Sequence, residues 1–380
     1  MNIMPSISKI TKSIFSSLFE NVESFYFKDT LMLVQGILAG RGKSINSIAT
    51  HVLSGVSRST LTRFLNAHDE FFERMKDIFE GYVQRTNEDV YVLDDTHIER
   101  RSTKLPFVYK NFDHASGRYV NSQSLLTTGT LVNGEFIPLQ MRFVEKGKSK
   151  NKKVVQWLKR SNIPNGSLVI FDSWYSHSEI IETCKMVLGV DAVGMAKSNL
   201  KLRISDLSDS TMSVGQYQRR VRFTNEVDMS SKKVKIHESI GYFKSIRIPL
   251  KVVVCEMNAT RVTLVSTNLQ MSGEEIVRNY MNRWKIEVFF KSAKQRFNLE
   301  DCTLRSKNGQ RHWMVIVSVA YLILKLVREL LEIRSEEEML NMIHMAISYM
   351  ISMVCEKAKE AYSVLNYGLF PRFVDDVLIT

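Results

Sequence analysis

The sequence predicts a mixed α/β fold: a mixed sheet with helices on both faces, an all-helical region ahead of it, and a β-rich insertion within it. Three observations carry this. Apolar residues recur with helical spacing to about residue 85, and the period changes at Asn87. From there the segments run β-β-β-α-β-α-β, with a hairpin first and crossover helices later, an order that gives a mixed sheet. Residues 200–267 then abandon that alternation for β-rich stretches. The chain has 380 residues, 44% of them hydrophobic, enough for two or three domains with real cores.

The segments divide the chain into five parts: 1–85, 86–199, 200–267, 268–334 and 335–380. In the first, "FKDTLMLVQGILAG" is helical and stops at Gly40. Ile45, Ile48, Ala49 and Val52 then make a short helix face, Ser54-Gly55 a turn, and Ser57 a cap for a helix presenting Leu61, Phe64 and Leu65. This pair carries Arg58 and Arg63 and resembles a helix-turn-helix, though two helices of a small bundle would read the same way.

In the second part "DVYVLDDT" is an apolar strand ending in acids, and Asn133-Gly134 marks a hairpin. A basic loop leads into the helix "KKVVQWLKR", "GSLVIFDSWYS" is a strand ending in an acid, "SEIIETCKMVLG" is a helix stopped by Gly189, and "VDAVGMAK" is a strand. The third part reads as a small antiparallel insertion that includes "QYQRRVRFT" and is notably cationic. The fourth opens with Ser272 and Glu275 at capping-box spacing and a helix expected to run to about Asn298. A buried helix over roughly 311–332 follows, and the last part begins as helix.

Lysine and arginine total 52 against 40 acids, a net charge of +12, which favours a polyanionic partner through counterion release. The four cysteines, at 184, 255, 302 and 355, have no paired spacing and suit free thiols in a reducing compartment. "MNIMPSISKITKSIF" lacks an apolar h-region, and the run from Trp313 is interrupted by Lys325, short of the roughly 18–20 residues of a span. Neither a secretory signal nor a membrane partner is expected.

Three acidic positions stand out. Asp94, with Asp95 directly after it, and Asp172 close strands, where open α/β sheets place their sites; Glu287 lies on a helix. Carboxylates are the ligands a hard cation such as magnesium takes, and three of them around two ions make a centre for in-line phosphoryl displacement. On a continuous helix Tyr280, Arg283, Glu287 and Lys294 fall within an arc of about 60°, beside a stripe formed by Ile286, Phe289, Phe290 and Phe297. Tyrosine, arginine and lysine can reach backbone phosphates while the glutamate meets a metal; a solvated face with an Arg283–Glu287 pair fits the same spacing.

The pattern Tyr280-x2-Arg283-x3-Glu287-x6-Lys294 resembles the Tyr-Arg-Glu-Lys signature of bacterial insertion-sequence DDE transposases. "VLDDT" and "VIFDSWYS" are similar to the first and second aspartate segments of those enzymes, so the resemblance spans about residues 88–300. It implies an RNase H-like catalytic core, a β-rich insertion between the second aspartate and the glutamate, and cut-and-paste transposition at two Mg2+ ions, which Mn2+ could replace. Asp94, Asp172 and Glu287 would be the ligands, with Asp95 the alternative to Asp94. Tyr280, Arg283 and Lys294 would contact DNA, joined by Lys291, Trp174 and the insertion's Arg219, Arg220 and Arg222. Trp284 flanks the acids as Trp174 does, and His97 and His177 are bystanders. The partners implied are double-stranded DNA, as terminal inverted repeats and as target, and a second copy of the chain on that DNA. The location implied is the bacterial cytoplasm, at the nucleoid. A metal-dependent nuclease on the same core and a non-catalytic DNA-binding repressor or architectural protein are the competing functions.

Overall fold

The computed structural model describes residues 24–39, 44–51, 56–113, 117–204, 211–229, 232–257, 260–333 and 335–342, together with residues 12, 14, 16, 18 and 19. The expected turn at Ser54-Gly55, the stop at Gly40, Cys355 and most of the last part lie outside the described residues. The chain divides into two compact units, one of residues 1–85, 98–123 and 290–380, the other of residues 86–97 and 124–289.

The first unit holds α1 (Ser24–Ala39), α2 (Ile45–His51), α3 (Arg58–Asn66) and α4 (Asp69–Thr86), and with them α10 (Lys307–Leu330). Gly36 lets α2 approach α1: a Cβ there would stand 2.4 Å from Ile48 Cγ2. Ser57 caps α3 by accepting from the Thr60 N–H, as its residue type suggested. Most apolar residues of α10 are buried, among them Trp313, Ile316, Val317 and Ile323, and the His312 ring stacks on Phe72 with centroids 4.0 Å apart. The unit also contains β2 (Val108–Asp113), which pairs antiparallel with residues 118–123 of β3 (Arg118–Val132). That strand was not expected. Its residues VYKNFD show no clear apolar alternation, and Phe112 at its end is exposed against Tyr119.

The second unit is built on a sheet. Its strands are β1 (Val90–Glu99), β3, β4 (Glu135–Val144), β5 (Leu168–Phe171), β6 (Asp191–Met195), β7 (Lys201–Ile204), β8 (Met212–Ser213), β9 (Asn225–Met229), β10 (Lys232–Phe243), β11 (Leu250–Met257) and β12 (Thr260–Ser266). The order is β3-β1-β5-β6-β12-β11-β10-β7-β8, with β4 on β3 and β9 on β10. β1, β5 and β6 run parallel; β12 returns antiparallel on β6 and carries the insertion into the same sheet. β3 and β4 meet at Asn133-Gly134, both with positive φ (49° and 71°), as the hairpin signal required. The unit's helices are α5 (Lys150–Arg160), α6 (Ser178–Glu182) continuing as a π-turn over Thr183–Val187, α7 (Val214–Arg220) and α8 (Gly273–Met281); α9 (Trp284–Gln295) begins in it.

Four expectations are corrected. The first strand does not end at the acids: β1 continues to Glu99, so Asp94 and Asp95 lie mid-strand. Four strands, not three, precede the first helix of this region, the addition being β2. "QYQRR" is helical rather than extended, because Ser213 and Gln216 form a capping box that starts α7. The helix from Ser272 is not continuous to Asn298. Its capping box is present, but α8 ends at Asn282, and i→i+3 bonds (Arg283 N–H to Tyr280, Lys285 to Asn282, Ile286 to Arg283) make a tight turn before α9. Among the described residues, no helix is long and apolar enough to cross a membrane. Cys184, Cys255 and Cys302 are free and buried.

Candidate active site

The acids are set out by the sheet. β1 and β5 pair in register from Val90↔Leu168 to Leu93↔Phe171, so Asp94 and Asp172 stand level, one step beyond the last rung. Side chains alternate along a strand, so Asp94 and Asp95 leave opposite faces of β1. The apolar runs that end at these acids, Tyr91-Val92-Leu93 and Val169-Ile170-Phe171, are fully buried and hold both positions firmly.

The third acid arrives from the start of α9. Arg283 is three-quarters or more buried by its side chain (17% exposed) and forks between two carboxylates. Its Nη1 donates to Asp94 Oδ2 at 3.1 Å and its Nη2 to Glu287 Oε1 at 2.6 Å, while its Nε has no hydrogen-bond partner. Glu287 is in the first turn of α9, whose Ile286 and Phe289 are buried; the Phe289 ring lies 5.4 Å from that of Phe136. The Tyr280 ring lies under the guanidinium, 5.7 Å from its carbon, and the hydroxyl is buried with no hydrogen bond of good geometry.

These surroundings set the charges. Burial, then the Asp172 charge, push the Asp94 carboxyl from an ordinary 3.8 up to about 7, against the pull of Arg283 and the Asp95 N–H. Burial also raises Asp172, although it accepts the Trp174 N–H at 2.9 Å and faces Arg283. Burial lifts the Tyr280 hydroxyl to about 12. Burial works against the Arg283 charge, but Tyr280, Glu287 and Asp94 outweigh it and hold the guanidinium firmly protonated.

Asp95 has a different neighbourhood. It binds the Lys150 ammonium at 2.5 Å, the Tyr175 hydroxyl and Ser124 (3.5 Å), with His97 Nε2 at 3.7 Å. Lys150 and Tyr175 were not anticipated. Lys150 was hidden in the basic run before α5, and Tyr175 by its place among the residues after Asp172. Trp174 is half exposed, with Lys197 Nζ 4.9 Å and Lys150 Nζ 5.6 Å from its ring centre. His177 caps α6, its ring nitrogen accepting from the Glu179 N–H.

The helical arc placed Lys294 with Tyr280, Arg283 and Glu287 on the assumption of one continuous helix. The break at Asn282–Arg283 voids the common angular frame, and Lys294, in the first unit, pairs with Glu300 at 3.4 Å. Lys291 is exposed on α9. Arg219 and Arg220 are exposed at the end of α7 and Arg222 just beyond it.

The donor set suits a hard divalent ion: carboxylate oxygens only, two of them level on adjacent strands, partly desolvated and mutually repelling. The expected convergence of three ligands is nevertheless not met as the side chains lie. Among the described residues no three His, Cys, Asp or Glu groups are gathered closely enough to hold an ion. The physical reason is Arg283, whose positive charge is interposed between Asp94 and Glu287.

The chain is similar in fold to a piggyBac transposase solved by cryo-EM in a synaptic complex with hairpin DNA. The match has a TM-score of 0.50 and 13% identity, and covers 100% of this chain and 82% of that one. No curated protein matches the chain. Residues 85–323, more than half of the chain and including every acid described above, match the transposase DDE domain, and the chain therefore belongs to that family.

Proposed function

We propose that this transposase cuts DNA at the ends of a mobile element and joins them to target DNA, with Asp94, Asp172 and Glu287 as its catalytic acids. The observation that carries the reading is the single guanidinium shared by Asp94 and Glu287, with Asp172 level with Asp94 on the next strand. The strand order β4-β3-β1-β5-β6, with β1, β5 and β6 parallel, supports an RNase H-like core. Tyr280 on α8, Arg283 in the turn and Glu287 on α9 support membership of the bacterial Tyr-Arg-Glu-Lys group.

Asp94, Asp172 and Glu287 would hold the divalent ions. Bound Mg2+ supplies activation of the attacking oxygen and stabilisation of the leaving one. The chain's own residues do the rest. Asp95, with Lys150 and Tyr175, fixes the loop that presents Asp172. Arg283 is suited to a DNA phosphate by its planar fork, and Trp174 offers an open ring to a base beside the acids. Lys291, Arg219, Arg220 and Arg222 are exposed cations available to the backbone. Helices α2 and α3 would bind the terminal repeat, and two copies would act together on the paired ends.

Incubating the protein with DNA carrying the element's ends and Mg2+ tests this. Joined products are expected. Cleavage without joining would favour the nuclease, and binding without cleavage the repressor.

A further inference from the structure

The position of Arg283 is unusual for a phosphate-binding residue. Its side chain is turned inward and mostly buried, it satisfies two of the three catalytic carboxylates rather than a ligand, and its Nε is left without a partner. Its backbone sits in the one tight turn between α8 and α9, where the ladder of helical bonds is already broken. The neighbouring ring of Tyr280 covers the guanidinium face. Glu287, by contrast, is 35% exposed and belongs to the first turn of α9, so it can turn away without unfolding a buried segment.

We infer that Arg283 is a stand-in cation: in the DNA-free protein its guanidinium neutralises Asp94 and Glu287 and excludes the divalent ions from them. Two carboxylates brought onto one site need a positive charge between them. Either one arginine or the metal ions can provide it, but the fork between Asp94 and Glu287 leaves no room for both on the same oxygens. A DNA phosphate offers the guanidinium an equivalent bidentate partner. Docking of DNA would therefore draw Arg283 out and free the acids together. The order of assembly follows: DNA first, metal second. Arg283 is a positioning residue in this role, and the inference rests on the proposed catalytic acids.

The test is Mn2+ binding to the full-length protein without DNA, measured by electron paramagnetic resonance and calorimetry. Arg283→Gln should bind Mn2+ at least tenfold more tightly than the wild type. The gain should vanish in Arg283→Gln/Asp94→Asn. Arg283→Lys, whose single ammonium cannot bridge both carboxylates, should show a smaller gain, and it serves as the variant of choice if the glutamine form misfolds. No gain in either variant, or a gain that survives loss of Asp94, overturns the inference. DNA cleavage is scored separately. Cleaving wild type with no gain in Mn2+ affinity defeats the stand-in role alone, whereas a gain in a protein that never cleaves defeats the proposed function alone.

Discussion

Asp94→Asn should make the metal-free protein more stable at neutral pH while removing its chemistry. The carboxyl is held at about 7 in the folded chain against an ordinary 3.8. At about 1.4 kcal/mol for each tenfold change in proton affinity, keeping Asp94 ionised in the fold costs about 4 kcal/mol. The folded carboxyl binds its proton more tightly than the unfolded one. Its contribution is therefore most favourable below about pH 4, is lost as pH rises towards 7, and is flat above that. Asparagine does not titrate, and the pull of Arg283 is already contained in the value of about 7. The variant should therefore be up to about 4 kcal/mol more stable than wild type at pH 8. More tellingly, its advantage should grow by about 1.4 kcal/mol per pH unit between pH 5 and pH 7. Urea unfolding in the presence of a chelator, followed by circular dichroism across that range, measures it. A stability difference that does not change with pH would show that the surroundings already compensate the Asp94 charge, and the electrostatic reasoning would be wrong.

Three further outcomes are expected. Glu287→Gln should lower DNA cleavage by about a hundredfold or more, in line with loss of an electrostatic catalytic group, while salt-dependent DNA binding persists; unchanged cleavage removes Glu287 from the site. Lys150→Met leaves a mostly buried Asp95 with Tyr175 and Ser124 and should cost about 1–3 kcal/mol, read as a lower urea midpoint together with a shift in Trp174 fluorescence. Gly129→Ala places a Cβ 2.3 Å from the Ile137 carbonyl oxygen and 2.4 Å from the Phe136 ring, where the β3–β4 register shifts and β4 carries the extra residue, and should cost about 1–3 kcal/mol or more; a wild-type midpoint would mean the irregularity yields freely.

What the sequence disclosed, it disclosed through local chemistry. Ser57 and Ser272 name their own helix starts, and Asn133-Gly134 names its turn, because each depends on atoms within four residues. The candidate acids were legible because apolar runs point directly at them. What was hidden depends on distant partners. β1 runs past its acids because β3 continues beside it: the Arg100 N–H bonds the Asn121 carbonyl. The helix break at Asn282 has no glycine or proline to announce it, and the guanidinium between Asp94 and Glu287 exists only once β1 and α9 are brought together. Lys294 looked aligned with Arg283 because a helical wheel assumes an unbroken helix. The sequence favours Asp94 over Asp95 because Asp94 directly follows the apolar run, as Asp172 does in its own strand. In the structure the two have separate neighbours, Arg283 for Asp94 and Lys150 with Tyr175 for Asp95, which no local pattern announces.

The buried thiols give the molecule an internal timer. Burial pushes Cys184, Cys255 and Cys302 each up to about 12, so none is a thiolate at neutral pH in the closed fold. A thiol-reactive dye can modify each only when its own surroundings come apart. Cys184, in the π-turn after α6, and Cys255, in β11, belong to the second unit; Cys302, after α9, belongs to the first. With Cys355 replaced by serine, the separate labelling rates of these three sulfurs would time the opening of each unit without adding any foreign probe.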